Sequence, residues 1–220
     1  MSKFLYYLFD LDGTLTKSEE GIFNCARYAL SWAGMDIPDE TVLKKFVGPP
    51  LKNSFMEFCG ASDEQADRLV KKYRERYNTV GMYENEVYDG IMELLSGLKA
   101  QGAYIAAATA KPQYPTEKIF ERFGFDKYFD AVVGSIPEDI RIEKKDIITE
   151  ALRQLVELTG IEATKENTVM IGDRFYDIKG GKLCGTSTIG VLYGYGTKSE
   201  LVEAGADYIV ERPEEILELK

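Results

Sequence analysis

Short apolar runs alternate with amphipathic stretches over most of the chain. The apolar runs lie at 4–9, 103–109, 131–134, 168–173, 187–192 and 207–210. Helical spacing of apolar residues fills the intervals at 90–101, 116–123, 144–158, 176–183, 199–204 and 213–219. Such alternation predicts βα units on a parallel sheet. We therefore expect an α/β fold with a doubly wound parallel sheet.

The segment from about residue 16 to residue 83 departs from this alternation. Its apolar residues follow helical spacing only, at 19–32, 39–46, 51–58 and 62–78. A helical stretch inserted after the first strand predicts a separate helical subdomain. The expected division is an α/β core made of 1–15 and 84–220, with a helical cap at 16–83.

Polar side chains follow several of the predicted strands at the point where each strand ends. These residues are Asp10 and Asp12, Thr109 to Lys111, and Asp173 and Asp177, with Lys144 or Lys145 at a helix start. The carboxyl ends of parallel strands share one sheet edge, so these groups should converge there. Clustered carboxylates are destabilising unless a cation compensates them, and hard oxygen ligands favour Mg²⁺. A metal with Lys and Thr donors around it suits a phosphate group, which a carboxylate can attack.

Composition narrows the chemistry further. The chain has no histidine, which excludes Ser-His and Cys-His mechanisms and His-ligated metal sites. A formal net charge of -10 gives no electrostatic basis for binding a nucleic acid polymer or an anionic membrane. Three dispersed cysteines and the lack of a long apolar run favour a cytoplasmic protein. The expected partner is a small phosphorylated metabolite, and the expected state is a monomer or weak homodimer.

The order of these motifs resembles that of the haloacid dehalogenase superfamily. "DLDGT" after an N-terminal strand, Thr109 after the second strand, a lysine, and then "GDRFYD" match the superfamily along the whole chain. The position of the helical insert resembles that of the phosphoglycolate-phosphatase-like subfamily, with its helical C1 cap on a Rossmann-like core. "EKKDIITEAL" resembles that subfamily's lysine motif, in which Lys144 aligns better than Lys145.

The resemblance assigns a role to each matching residue. It implies that Asp10 is the nucleophile and that Asp12 is the general acid and base. It implies Mg²⁺ ligation by Asp10, Asp173 and the carbonyl oxygen of Asp12, and phosphate binding by Thr109, the Ala110 N–H and Lys144. Supporting positions are Asp177 in the metal shell and Gly13 and Thr14 in the loop. The resulting expectation is a Mg²⁺-dependent phosphatase that hydrolyses a small phosphomonoester, such as phosphoglycolate, through an aspartyl-phosphate.

Other functions of the same fold stay open at this stage. A 5′-nucleotidase, a pyrophosphatase and a sugar phosphatase fit the same motifs. A phosphomutase of this kind would use a cap histidine, which the chain lacks, and a phosphonatase would need a cap lysine for a Schiff base. A non-catalytic phospho-aspartate or Mg²⁺ switch is a further alternative, against which the second acid, Asp12, argues. Lys111 has two open interpretations: it contacts the substrate, or it has a structural role, either capping a chain segment or forming a surface salt bridge. The tyrosines of 191–196 are interpreted as packing at the edge of the fold.

Overall fold

The structure is a computed structural model that describes residues 2–136 and 143–219. Its strands are β1 Tyr6–Phe9, β2 Thr16–Lys17, β3 Glu86–Val87, β4 Tyr104–Pro112, β5 Ala131–Ser135, β6 Thr168–Gly172, β7 Ser187–Val191 and β8 Tyr208–Val210. Its helices are α1 Glu19–Ala33, α2 Glu40–Leu43, α3 Leu51–Cys59, α4 Asp63–Tyr77, α5 Ile91–Ala100, α6 Gln113–Phe123, α7 Lys144–Thr159, α8 Phe175–Leu183, α9 Lys198–Ala204 and α10 Glu215–Glu218.

The chain forms two compact units. One comprises residues up to Thr16 together with the chain from Val87 onward, and the other comprises Lys17–Glu86. The chain passes from one unit to the other at β2 and at β3, and these two short strands pair in a sheet of their own. The pattern of apolar residues did not predict these strands, because two-residue strands carry no measurable alternation.

The larger unit contains a parallel sheet with strand order β5-β4-β1-β6-β7-β8. β1 lies between β4 and β6 and pairs with both in parallel. The chain order reverses direction across β1, which makes the carboxyl end of β1 the topological switch point where open α/β sheets bind ligands. The predicted α/β class with a doubly wound parallel sheet is confirmed.

The core of this unit lies between the sheet and its helices. Strand β1 is buried along its whole length, as expected for a strand covered on both faces. Leu8, Ala106 and Met170, from three neighbouring strands, pack with Ile147 and Ala151 of α7. This packing fixes the carboxyl ends of these strands relative to the start of α7.

Strand β4 extends beyond the predicted end at Thr109. It continues to Pro112, and its register with β5 shifts between Ala108 and Pro112. The pairing of β4 with β1 stops earlier, at Ala107 opposite Phe9. Residues 109–111 therefore lie beyond the end of β1, at the carboxyl edge, where the β4–β5 pairing is irregular, and β-bulges are common beside sites.

The smaller unit is built from helices α1 to α4. Helix α1 packs against α4, and α4 packs against α3. Helix α4 begins with a capping box. The Ser62 hydroxyl oxygen accepts the backbone N–H of Gln65, and the Gln65 side-chain oxygen accepts the backbone N–H of Ser62. The predicted helix at 39–46 is interrupted: α2 ends at Leu43 and a short 3-10 turn covers Lys44–Phe46.

Candidate active site

The first acidic residues follow β1 directly. Asp10 is still tied to the sheet, because its backbone N–H donates to the carbonyl oxygen of Ile171 at 2.9 Å. The chain then turns sharply, and the N–H groups of Leu15 and Thr16 both donate to the Leu11 carbonyl oxygen. Gly13 adopts a φ of 83° in this turn, a conformation that glycine takes without a steric penalty.

Asp10 meets two further carboxylates from the neighbouring strand end. Asp173 follows β6, and Asp177 lies in the first turn of α8. One oxygen each of Asp10, Asp173 and Asp177 lies within 4.8 Å of the others. Gly172 permits this approach, since a Cβ on Gly172 would lie 2.1 Å from Asp177 Cγ.

Lys144 is the cation of this cluster. Its Nζ lies 2.9 Å from Asp10 Oδ1 and 2.7 Å from Asp177 Oδ1. Burial disfavours the charge on Lys144, but the negative charges of Asp10 and Asp177 outweigh burial and raise the pKa of Lys144. The ammonium group therefore stays protonated at neutral pH. Of the two lysines that begin α7, Lys144 takes part in the cluster, and the side chain of Lys145 is exposed.

The carboxylates outnumber the cation, and the pKa values reflect this imbalance. Burial, followed by the charges of Asp177 and Asp10, raises the pKa of Asp173 well above its ordinary range. Burial also raises the pKa of Asp177 to about 6, although Lys144 opposes the shift. Burial and neighbouring carboxylates both disfavour the ionised carboxylates here, and a divalent cation would stabilise them.

Asp173 and Asp177 have different hydrogen-bond partners. Asp177 Oδ1 faces Lys144, and its Oδ2 accepts the backbone N–H of Arg174 at 3.0 Å. Asp173 Oδ2 accepts the backbone N–H of Tyr195 at 2.8 Å, whereas among the described residues its Oδ1 has only a long contact of 3.5 Å with the Thr14 hydroxyl. Both oxygens of Asp177 are thus engaged by protein groups, and Asp173 is better placed to offer an oxygen to a metal.

Asp12 lies outside the three-carboxylate cluster and pairs with Lys111. Lys111 Nζ lies 2.8 Å from Asp12 Oδ1 and 2.6 Å from Asp12 Oδ2. The Lys111 side chain is 4% exposed and the Asp12 side chain 16% exposed. Of the interpretations left open for Lys111, a surface salt bridge does not fit, because this pair is largely buried.

Thr109 and Ala110 lie on the irregular end of β4. Thr109 is buried, and its hydroxyl oxygen accepts the backbone N–H of Lys111 at 3.2 Å. Ala110 is exposed, and its carbonyl oxygen accepts a hydrogen bond from the Ser135 hydroxyl at 2.8 Å. The hydroxyl hydrogen of Thr109 and the N–H of Ala110 are the polar hydrogens that this segment can offer to an anion.

Sequence reasoning missed two features of this site. One is the pairing of Lys111 with Asp12, and the other is the loop Tyr193–Gly196, whose backbone contacts Asp173. The "GYG" spacing within 194–196 was an available signal for the loop, because glycines on both sides of one residue permit close backbone approach. No sequence signal marked Lys111 as the partner of Asp12.

Comparisons with known proteins identify the family. The family model described as haloacid dehalogenase-like hydrolase matches residues 7–191. A 5′-nucleotidase from Pseudomonas aeruginosa is 42% identical over 88% of this chain and 85% of its own length. The crystal structure of a predicted phosphatase from Clostridium acetobutylicum is 43% identical, with a TM-score of 0.87 over 99% of this chain and 100% of that chain.

A more distant relative has a different name. The tyrosine-protein kinase PtkA of Mycobacterium bovis is 32% identical over 97% of this chain and 70% of its own length. In the described part of the chain, none of the helices has the length and apolar character needed to cross a membrane. The family match over residues 7–191 and the 42% identity to a curated relative lead to one conclusion: this chain belongs to the haloacid dehalogenase-like hydrolases.

Proposed function

We propose that the protein is a Mg²⁺-dependent phosphomonoesterase that works through an aspartyl-phosphate on Asp10. The observation that carries this proposal is the grouping of three carboxylates whose oxygens lie within 4.8 Å of one another, two of them in contact with the buried ammonium group of Lys144. An all-oxygen donor set with excess negative charge fits a hard divalent cation.

Asp10 and Asp173 would hold the metal together with the carbonyl oxygen of Asp12, and Asp177 would support them. The ion would supply positive charge that neutralises the phosphate oxygens and the carboxylates together. The raised pKa values of Asp173 and Asp177, caused by burial and by neighbouring carboxylates, support this assignment, since a cation would stabilise the ionised carboxylates. The two engaged oxygens of Asp177 support its placement outside the first coordination shell.

Thr109, Ala110 and Lys144 would bind the transferred phosphoryl group. The Thr109 hydroxyl accepts the Lys111 N–H, so its own hydrogen remains to donate to a phosphate oxygen. The Lys144 ammonium group, 2.9 Å from Asp10, would draw a phosphate oxygen toward the nucleophile. Donors fixed before the substrate arrives stabilise the charge that develops in the transition state.

The reaction would proceed in two displacements at phosphorus. With Asp12 in its protonated form, an oxygen of Asp10 attacks phosphorus, and the bond to the leaving oxygen breaks while Asp12 transfers its proton to that oxygen and becomes a carboxylate. Asp12 then removes a proton from a water molecule, which attacks the phosphorus of the aspartyl-phosphate. Phosphate leaves, and the Asp10 carboxylate is regenerated.

Among possible leaving groups, nucleosides are the first to test. The motifs alone suggested a small phosphomonoester such as phosphoglycolate, whereas the relative that is 42% identical is named a 5′-nucleotidase. Pyrophosphate and sugar phosphates are also credible substrates. The unit Lys17–Glu86 would act as the cap. Within the described residues the three cysteines form no disulfide, which fits a reducing cytoplasm.

The test is phosphate release in the presence and absence of Mg²⁺, with wild type, Asp10→Asn and the exposed-site control Asp126→Asn. The panel contains an aryl phosphate, nucleoside 5′-monophosphates, 2-phosphoglycolate, sugar phosphates and pyrophosphate. We expect release that needs Mg²⁺, is retained by Asp126→Asn and falls by at least about 10³-fold in Asp10→Asn.

Circular dichroism of Asp10→Asn should match that of wild type, because the substitution keeps the size of the side chain. Full activity of this variant would exclude Asp10 as the nucleophile. A stable aspartyl-phosphate without turnover on any substrate would instead favour a switch.

A further inference from the structure

A loop rich in tyrosine and glycine lies against Asp173. Residues Tyr193, Gly194, Tyr195 and Gly196, here called the Tyr-Gly loop, follow β7. The backbone N–H of Tyr195 donates to Asp173 Oδ2 at 2.8 Å. This bond fixes one oxygen of the carboxylate, so the loop has a direct effect on the orientation of Asp173.

The two glycines of the loop have no room for a side chain. A Cβ on Gly194 would lie 2.4 Å from Asp173 Cβ and 2.2 Å from the carbonyl oxygen of Gly13. A Cβ on Gly196 would lie 1.9 Å from the carbonyl oxygen of Asp173. Because most of these contacts are to backbone atoms, a side chain there could be accommodated only by moving the loop away from Asp173.

The hydroxyl group of Tyr193, the residue before Gly194 in the loop, is buried and lies close enough to Asp173 for its pKa to be affected by the charge of that carboxylate. Within the described part of the chain it has no hydrogen-bond partner. Burial, followed by the nearby charge of Asp173, raises the pKa of Tyr193, so its hydroxyl remains a donor. The ring of Tyr88 packs edge-on against that of Tyr193, with centroids 5.1 Å apart, and limits its movement.

A buried donor without an acceptor destabilises the folded protein, because it has lost its hydrogen bonds to water without replacing them. The cost disappears if an oxygen enters the site and accepts the hydrogen bond. A hydrated cation at Asp10 and Asp173 would bring such oxygens with it, since Mg²⁺ usually keeps several of its waters.

We propose that Tyr193 is a positioning residue of the metal site, held there by the Tyr-Gly loop, and that its hydroxyl donates to an oxygen that enters with the cation. The inference rests on the proposed function, because that function supplies the cation. It adds a protein group from outside the four sequence motifs.

The experiment measures Mg²⁺ binding by calorimetry in the absence of substrate, so that it does not depend on turnover. Tyr193→Phe removes only the hydroxyl, and we expect the Kd for Mg²⁺ to rise about 10-fold, as for other groups that orient metal ligands. The matched control is Tyr114→Phe, at a tyrosine that is 54% exposed, where the Kd should not change.

A second variant tests the loop. Gly194→Ala should weaken Mg²⁺ binding at least as much as Tyr193→Phe. Its control is Gly97→Ala, where a Cβ would meet only the flexible end of Leu217. Thermal unfolding in EDTA identifies any variant that does not fold; Tyr193→Phe should be at least as stable as wild type, because it buries no unpaired hydroxyl.

Kinetics separate positioning from a purely structural effect. In Tyr193→Phe, the Mg²⁺ concentration that gives half-maximal activity should rise, and kcat at saturating Mg²⁺ should stay within about twofold of wild type. An unchanged Kd for Mg²⁺ in folded Tyr193→Phe would overturn the inference, whatever Gly194→Ala does, and would leave the proposed function intact. Failure of the wild type to bind Mg²⁺ would instead overturn the proposed function itself.

Discussion

Lys111 Nζ lies within 2.8 Å of both carboxylate oxygens of Asp12, although 99 positions separate the two residues in the chain. The pair is largely buried, with 4% of the Lys111 side chain and 16% of the Asp12 side chain exposed. A buried carboxylate keeps a defined orientation only if its charge is compensated. Lys111 therefore fixes the residue that we propose as general acid and base.

Replacing Lys111 by Met should lower both activity and stability. The substitution keeps most of the side-chain volume but leaves the Asp12 carboxylate without its cation. General acid and base catalysis contributes about 10²- to 10⁴-fold, and we expect kcat to fall by about 10²-fold. Stability should fall by about 3 kcal/mol, as when one partner of a buried ion pair is removed. Steady-state kinetics and urea unfolding measure the two effects.

The matched control for Lys111 is Lys118→Met, which removes an exposed pair with Glu121. Pairs of that kind contribute about 0–1 kcal/mol, so this variant should behave as wild type. Lys111→Arg keeps the charge and should recover part of the lost kcat. Wild-type kcat in Lys111→Met would show that Asp12 does not need this lysine.

Replacing Lys144 by Met should have a larger effect than the same change at Lys145. Lys144 is the cation that pairs with Asp10 and Asp177, and its loss leaves these two carboxylates uncompensated beside Asp173. In EDTA, we expect a loss of about 3–5 kcal/mol in the free energy of unfolding. Added Mg²⁺ should restore part of this stability, since it binds the native state only.

Lys145→Met is the control, because Lys145 is the exposed neighbour at the same helix start. It should keep wild-type stability and phosphate release. Equal losses in the two variants, measured by thermal unfolding and phosphate release, would contradict the role of Lys144.

The pair of Arg76 and Glu84 should make the stability of the smaller unit depend on pH. Arg76 donates to both oxygens of Glu84 at 2.7 Å. These hydrogen bonds lower the pKa of Glu84 below its ordinary value of 4.5. A lowered carboxyl pKa means that the stabilisation is present above about pH 4.5 and is lost as the pH falls through the lower, folded-state value.

Glu84→Gln should therefore destabilise the protein by about 1.5–3 kcal/mol at pH 7, the usual contribution of hydrogen bonds to a charged group. The difference between variant and wild type should narrow as the pH falls below about 4.5. Urea unfolding at several pH values measures it, with the exposed-site variant Glu57→Gln as the control. A difference that stays constant down to low pH would exclude the ionised Glu84 carboxylate as its source.

The amino-acid sequence by itself determined the fold class and the order of the chemical groups. A parallel strand such as β1 is buried on both faces and is therefore continuously apolar. In an amphipathic helix, apolar residues recur every 3.6 positions. Both patterns are local, so they can be recognised in the sequence. The placement of Asp10 and Asp173 after two strands indicated a shared sheet edge, because parallel strands align their carboxyl ends.

Only the tertiary structure decided which side chains contact one another at that edge. The Lys111–Asp12 pair depends on the register that sets Phe9 opposite Ala107 and on the irregularity of β4 beyond Ala108. The hydrogen bond from the Tyr195 backbone N–H to Asp173 joins a loop to a strand end. Because every residue except proline has a backbone N–H, the residue types do not indicate which one makes this bond. Likewise, either lysine at the start of α7 fitted the motif, and the orientation of that helix on the sheet selected Lys144. Contacts between distant segments depend on register and packing, and these are properties of the folded chain.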